Sequence, residues 1–316
     1  MFDLNKCTLE EVYAQLNALS IPFRLEGPDR EICKVCSLLH KEPNGLYYFS
    51  GSKPHIIEGL KDSIIVCNDQ VLEPSEDYST LVVKGDPQVV FYKLCARLFG
   101  GRNRSEIHPT AIIHPEAEIG SEVYVGPYSV VGRSRVGSGS RIEAHCVIFD
   151  GCDIGERVRI DPHSCIGAAG AVWVWGDGNQ RVILPQVGGV RIEDDVFLAS
   201  DVTVVRGLFN EWTTIGKGTL IAPGSKIGHS VMIGSNCHLA NNVSIAGSAI
   251  IGDGTFLGSG SSVRSHARLA ADTIVGSGAA VVKDVLRTGI TVAGVPAVEM
   301  EPKSQRKGVP TAKPEN

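Results

Sequence analysis

From Ile215 onward an aliphatic side chain returns at every sixth position, through Ile221, Ile227, Ile233, Leu239, Ile245, Ile251, Leu257, Val263, Leu269, Val275 and Val281. A beat of six fits neither the turn of an α-helix nor the alternation of a strand in a hairpin meander. Two residues before each aliphatic stands a small or β-branched side chain, as at Thr219, Ser225, Val231, Cys237, Val243 and Ala249, which marks a second inward-facing position. Gly or Ala usually follows the aliphatic, where the backbone must turn and a Cβ is a liability. Hexapeptides of this grammar are the signature of a parallel β-helix. Three hexads make one triangular coil of 18 residues. Adjacent coils lie about 4.8 Å apart, like neighbouring strands, and only small inward residues fit so narrow a prism.

The same grammar runs earlier, through Ile107, Ile113, Ile119, Val125 and Val131, then after a one-residue slip through Val136, Ile142, Ile148, Ile154, Ile160 and Ile166. Cys146 and Cys152 fall on its second inward position. Residues 168–189 and 206–214 cannot obey the rule and are expected to leave the rod as loops, carrying all three tryptophans, Trp173, Trp175 and Trp212. Loops on a rigid solenoid are where binding residues usually reside; packing against a neighbouring subunit is the other use open to them. Residues 1–103 lack the beat. Thr8-Leu9-Glu10-Glu11 opens a helix with a capping box, residues 45–50 and 63–67 alternate as strands, and Asp86-Pro87 opens a second helix. This predicts a small α/β domain, a linker over 99–105, a β-helix over 104–290 and a polar tail over 291–316, expected to be largely disordered from Pro296 onward.

Thirty Lys and Arg against 35 Asp and Glu give a net charge of −5, and no basic run exceeds that of the tail, so nucleic acid is an unexpected partner. Neither a transmembrane segment nor a signal-peptide pattern is read from the chain, which predicts a cytoplasmic protein. Nine scattered cysteines suit reduced thiols better than a disulfide framework. Cys33-Lys34-Val35-Cys36 has metal-site spacing but no second pair or nearby His, so buried small hydrophobes are expected and no metal.

Coil arithmetic places the chemistry. Residues 18 apart stack, so His229 should sit over Gly247, with His266 one coil further and one place along the same face. An imidazole titrates near neutrality and can serve as general base toward an amine or hydroxyl, while a backbone N–H one coil away can stabilise an oxyanion. The competing use of a lone histidine is a solvated surface residue. His108, His114, His145, His163 and His238 are read as structural or solvent-facing.

The leading module, Ile107-His108-Pro109-Thr110-Ala111, Leu184-Pro185-Gln186-Val187-Gly188-Gly189-Val190, and Ile227-Gly228-His229 through Ile245-Ala246-Gly247-Ser248 together resemble the UDP-3-O-(3-hydroxyacyl)glucosamine N-acyltransferases of lipid A synthesis, over residues 5–285. The resemblance implies a homotrimer of left-handed β-helices with active sites between subunits. An acyl chain would pass from acyl carrier protein, as a phosphopantetheine thioester co-substrate, to the 2-amino group of a UDP-linked sugar, with no bound cofactor. His229 falls on the family's catalytic base, Gly247 on its oxyanion amide and His266 on its second active-site histidine. Phe49 matches an aromatic that stacks on uracil, which would make the first domain uridine-binding.

Several positions depart from the family pattern. The carboxylate that orients the imidazole and the Asn beside it are replaced by Ala222 and Pro223, His-Asn reads His229-Ser230, a substrate-binding Gln is Lys226, the second uracil-stacking Tyr is His55, and Asn gives way to Ser52. Lys226 could meet a phosphate. Val292-Ala293-Gly294-Val295-Pro296-Ala297 resembles the end of coenzyme-A-dependent sugar acetyltransferases. Two alternatives therefore stand beside the N-acyltransferase: an acetyl-coenzyme-A-dependent transferase for a nucleotide amino sugar of surface polysaccharide, and a non-catalytic nucleotide-sugar-binding scaffold.

Overall fold

The computed structural model describes residues 5–51, 54–69, 72, 74–100 and 105–300. The chain divides into two compact units, 1–103 and 104–316; residues 101–104 of the expected linker lie outside the described residues.

In the first unit, helix α1 (Leu9–Ala18) is closed by the expected capping box, with Thr8 Oγ1 accepting from Glu11 N and the Glu11 carboxylate accepting from Thr8 N. Such a cap contributes about 1 kcal/mol. Helix α2 (Pro87–Phe99) starts on Asp86, whose carboxylate accepts from the N–H groups of Gln88 and Val89. The helices accompany a five-stranded sheet, β1 (Phe23–Glu26), β2 (Lys34–Val35), β3 (Gly45–Tyr48), β4 (Ser63–Cys67) and β5 (Tyr78–Val83), in the order β1-β5-β4-β3-β2. Only β3 and β4 are predicted from alternation. The core of the unit joins Val12 and Leu16 of α1 to Ile64, Val66 and Leu81 of the sheet and Leu94 of α2.

The second unit is a parallel β-solenoid with three walls, built mostly of two-residue strands. Its register follows the beat: Ile227 pairs with Ile245 and Ile245 with Val263, while Ile221 pairs with Leu239 on the next wall and Ile215 with Ile233 on the third. The predicted slip is present as well, with Val136 opposite Ile119. The aliphatics are buried, and so are the small residues two places before them: Thr219, Ser225, Ala249, Thr255, Ser261 and Thr273 are all fully enclosed. Most of these hydroxyls meet backbone oxygens, Ser261 Oγ being unpartnered among the described residues; Thr219 Oγ1 donates to Gly234 O at 2.8 Å and accepts from Cys237 N at 3.0 Å. Cys146 and Cys152 are inward stacking residues, as expected.

Two expectations need correction. The second break is shorter than 206–214, because Trp212–Ile215 is already a strand lying beside Gly189–Ile192. The tail does not begin at 291. Thr291–Ala293 pairs with Ile274–Val275 as one more rung, and Val298–Met300 runs antiparallel to it. A solenoid's last rung leaves a row of unpaired backbone groups, and a returning strand covers that edge. Residues 301–316 lie outside the described residues.

Candidate active site

Lys226–Ile227 and Met232–Ile233 are strands on adjoining walls, so the residues between them turn a corner of the prism. The next coil repeats that turn. Ser248 N donates to His229 O at 2.8 Å, and in the coil after it His266 N and Ser265 Oγ donate to Gly247 O at 3.1 and 2.7 Å. His229 and Gly247 therefore stack, and Ser230, Ser248 and His266 form the neighbouring column, each left-handed with φ of 56°, 60° and 61°.

The imidazole lies directly against Gly247. A Cβ on Gly247 would stand 2.3 Å from His229 Nε2, 2.4 Å from Cε1 and 2.8 Å from Cδ2, so only glycine admits the ring. A Cβ on Gly228 would likewise stand 2.7 Å from the Gly247 nitrogen. The Gly247 N–H has no acceptor among the described residues. That amide is therefore approachable only because residue 228 has no side chain.

His229 Nδ1 is buried and has no hydrogen-bond partner among the described residues. The corner is instead held from the loop at 206–211, a connection the sequence does not announce. Ser230 N donates to Thr213 Oγ1 at 2.8 Å, Ser230 Oγ donates to the Glu211 carboxylate and accepts from Leu208 N at 3.3 Å, and Thr213 Oγ1 donates to Val205 O at 2.6 Å. Beside this corner is a cavity of about 440 Å³, bounded by Arg191, Glu211, Trp212, Thr214, Ser230 and Met232. Trp212 and Ser230 are the members singled out in advance; Glu211 and Arg191 carry no sequence signal apart from their position at the ends of the two breaks.

The other expected substrate residues are not gathered here. Lys226 Nζ is tied to the preceding coil, donating to Asp201 O at 2.8 Å and Asp201 Oδ1 at 3.0 Å, and does not border the cavity. His266 is exposed on the neighbouring column. In the first unit Phe49 is only 3% exposed, packed with Tyr47, Ile57, Leu60 and Ile65. It borders a cavity of about 590 Å³ together with Tyr48, Leu38, Ile56, Phe91 and Tyr92. His55 is exposed on the 3-10 turn Pro54–Ile57 and does not line that cavity. The expected Phe49–His55 pair is thus not assembled, because burying the phenyl ring takes its faces from solution. Tyr48 and Tyr92, in edge contact at 6.0 Å, present the accessible aromatic surface. Ser52 lies outside the described residues.

Of the remaining histidines, His108 and His114 cap turns through Nδ1, His145 stacks between Tyr128 and His163, and His238 packs on Phe256. Burial lowers the His238 pKa below its ordinary 6.5. Burial pushes the inward thiols the other way, Cys152 to about 12 and Cys146 and Cys237 to about 11. Cys33 and Cys36 flank β2 and face opposite sides, Cys33 Sγ toward Asn44 O and Cys36 toward Tyr47. Among the described residues no group of three or more His, Cys, Asp and Glu is placed to hold a metal, and no helix is long and apolar enough to cross a membrane.

Comparison with known proteins agrees with the repeat. The family described as bacterial transferase hexapeptide (six repeats) matches residues 213–247. A UDP-3-O-acylglucosamine N-acyltransferase of Paracidovorax citrulli is 32% identical over 206 residues, covering 64% of this chain and 60% of the relative. One from Herminiimonas arsenicoxydans is 31% identical over 110 residues, covering 34% of this chain and 29% of the relative. The chain thus spans less than two thirds of the length of these relatives. Among solved structures, the UDP-N-acetylglucosamine O-acyltransferase of Moraxella catarrhalis superposes with a TM-score of 0.57 at 29% identity, covering 61% of this chain and 73% of that one. In repeat, sequence and fold the chain is similar to the UDP-3-O-acylglucosamine N-acyltransferases and to the hexapeptide acyltransferase structures.

Proposed function

We propose that this protein is an N-acyltransferase that moves an acyl chain from an acyl carrier protein thioester to the 2-amino group of a UDP-linked 3-O-acylglucosamine, working in the cytoplasm as a homotrimer. The observation that carries the proposal is the imidazole of His229 resting on Gly247, with the adjoining residues Ser230 and Ser248 lining an open cavity. As nitrogen attacks the thioester carbonyl, His229 takes the amine proton, the Gly247 N–H donates to the developing oxyanion, and the carrier thiol leaves as the amide forms. General-base catalysis of this kind contributes about a hundredfold or more.

The test offers 3-hydroxyacyl carrier protein or acetyl-coenzyme A, each with UDP-3-O-acylglucosamine or UDP-glucosamine, and follows product by mass spectrometry. Transfer from the carrier protein that falls at least a hundredfold in His229→Ala, with an unchanged thermal melt, supports the reading. Transfer from acetyl-coenzyme A alone assigns the acetyltransferase. The unpartnered His229 Nδ1 favours a second reading, a nucleotide-sugar-binding scaffold; binding of the acceptor with no turnover from either donor would establish it.

A further inference from the structure

The cavity beside His229 is bipolar, and its two ends are held differently. At one end Arg191 lies with its guanidinium carbon 4.7 Å from the centre of the Trp212 ring. The ring is seated on Gly189, the residue across the strand pair, where a Cβ would come within 2.5 Å of Cζ3. Trp212 thus supports the guanidinium, which lowers the entropy lost when the fork engages a ligand. Arg191 Nε donates a long bond of 3.4 Å to Asp153 Oδ2. Asp153 is already engaged by Arg135, whose Nε donates to Oδ1 at 2.6 Å. Two guanidinium groups therefore share one carboxylate, and the terminal nitrogens of Arg191 donate to no described residue, which leaves that fork available to a ligand.

At the other end Glu211 uses Oε2 on Ser230 and has Oε1 unengaged among the described residues. Arg191 pairs with Thr214 and Thr214 with Met232, so the cation lies two coil spacings, about 10 Å, from the rung that follows His229. A cation and a carboxylate lining one open groove fit a molecule with an anion at one end and hydroxyl or amine donors at the other. A phosphorylated sugar has that distribution, and the planar guanidinium fork suits the paired oxygens of a phosphate.

We propose that Arg191 is the phosphate-reading residue of this cavity, with Glu211 taking the hydroxyl or amine end of the sugar. The proposal deepens the acyltransferase reading and rests on it for the identity of the substrates. The phosphate ester has two sources, the diphosphate of the acceptor and the phosphate of the donor's pantetheine arm.

Trp212 is the natural reporter. In the full chain carrying Trp173→Phe and Trp175→Phe, it is the sole tryptophan, and its emission is followed during titration with UDP-glucosamine, unphosphorylated glucosamine or coenzyme A. A saturable change with UDP-glucosamine, at least tenfold weaker in Arg191→Met and several-fold weaker in Arg191→Lys, supports the subsite and assigns it to the acceptor. The same Arg191-dependent response to coenzyme A alone assigns it to the donor. Equal affinity in Arg191→Met, or a response to glucosamine matching that to UDP-glucosamine, overturns the proposal. Thermal melts of both variants show whether the fold is retained. The two failures are separable: transfer with an acceptor KM unchanged in Arg191→Met defeats the subsite and leaves the enzyme reading, whereas Arg191-dependent binding without transfer does the reverse.

Discussion

Gly247→Ala separates the chemistry of the corner from its stability. An added Cβ would stand 2.3–2.8 Å from three ring atoms of His229. Non-bonded carbon contacts settle near 3.5–4.0 Å, so the imidazole must retreat by more than about 1 Å. A displacement of that size costs a positioned catalytic group roughly a hundredfold, or about 2.7 kcal/mol of transition-state stabilisation. Folding responds with the opposite sign or not at all. Gly247 is not in the left-handed region, so alanine restricts the unfolded chain and contributes about 0.4–1 kcal/mol, while the half-buried imidazole can swing outward. Initial rates of acyl transfer are measured beside thermal unfolding of the same samples. A hundredfold loss of kcat with a melting temperature within a few degrees of the parent is expected. Full turnover in Gly247→Ala would refute the reasoning, since the ring cannot remain in place over a side chain. A loss that merely tracks unfolding would refute it too.

Three further outcomes follow from the same coordinates. Ser230→Ala removes the hydroxyl that joins the Glu211 carboxylate to the corner; a loss of about 1 kcal/mol in stability, typical of a partly exposed charge-assisted hydrogen bond, and a several-fold lower kcat are expected from denaturant titration and initial rates. Iodoacetamide at pH 8 should label exposed Cys33 first and leave Cys146, Cys152 and Cys237 intact until denaturant is added, because burial holds those thiols at about 11 to 12 and out of reach; early labelling of Cys152 by mass spectrometry would contradict its inward stacking. His238 binds its proton less readily in the folded state than in the unfolded chain, so its contribution is complete above the ordinary value of 6.5 and is lost as pH falls through it toward the lowered folded value. His238→Gln should therefore show a smaller drop in melting temperature between pH 7.5 and 5.5 than the parent.

What could be read in advance divides along the repeat. Every column residue from Ile215 to Val281 has its position dictated by its neighbours six and 18 places away, so a linear pattern is enough to locate it. The stacking of His229 on Gly247 is legible for the same reason. Glu211 and Ser230 are 19 residues apart and meet only because a loop exits one coil and folds back on the next; no period links them. Phe49 misleads because an aromatic suited to stacking on a base is equally suited to a core, and the 3-10 turn carrying His55 does not bring that ring to the same cavity. Residues 291–300 look like a tail because their aliphatics are too few to sustain the beat, yet a single rung needs only Val292 facing inward to join the wall.

A regular prism cannot by itself make a binding site, since each coil presents the same shallow relief as the one before. The cavity forms where the beat fails. The first break returns to the wall at Gly189–Ile192 and the second at Trp212–Ile215, and these two strands, four residues long where most are two, lie side by side. Their extra length brings Gly189 against Trp212 and so creates the seat for the indole, the support for Arg191 and the loop end bearing Glu211. The unbroken coils immediately after supply the opposite requirement, a fixed spacing that holds His229 over Gly247, with Ser265 Oγ of the next coil donating to the Gly247 carbonyl. Restoring the beat by deleting residues 207–211, which brings Val204 and Ile215 to a spacing of six, should therefore leave the inward column intact while removing the cavity. That outcome would be seen as retained cooperative unfolding with lost Trp212-reported binding, and cooperative unfolding lost together with binding would show that the break supports the rod rather than the site.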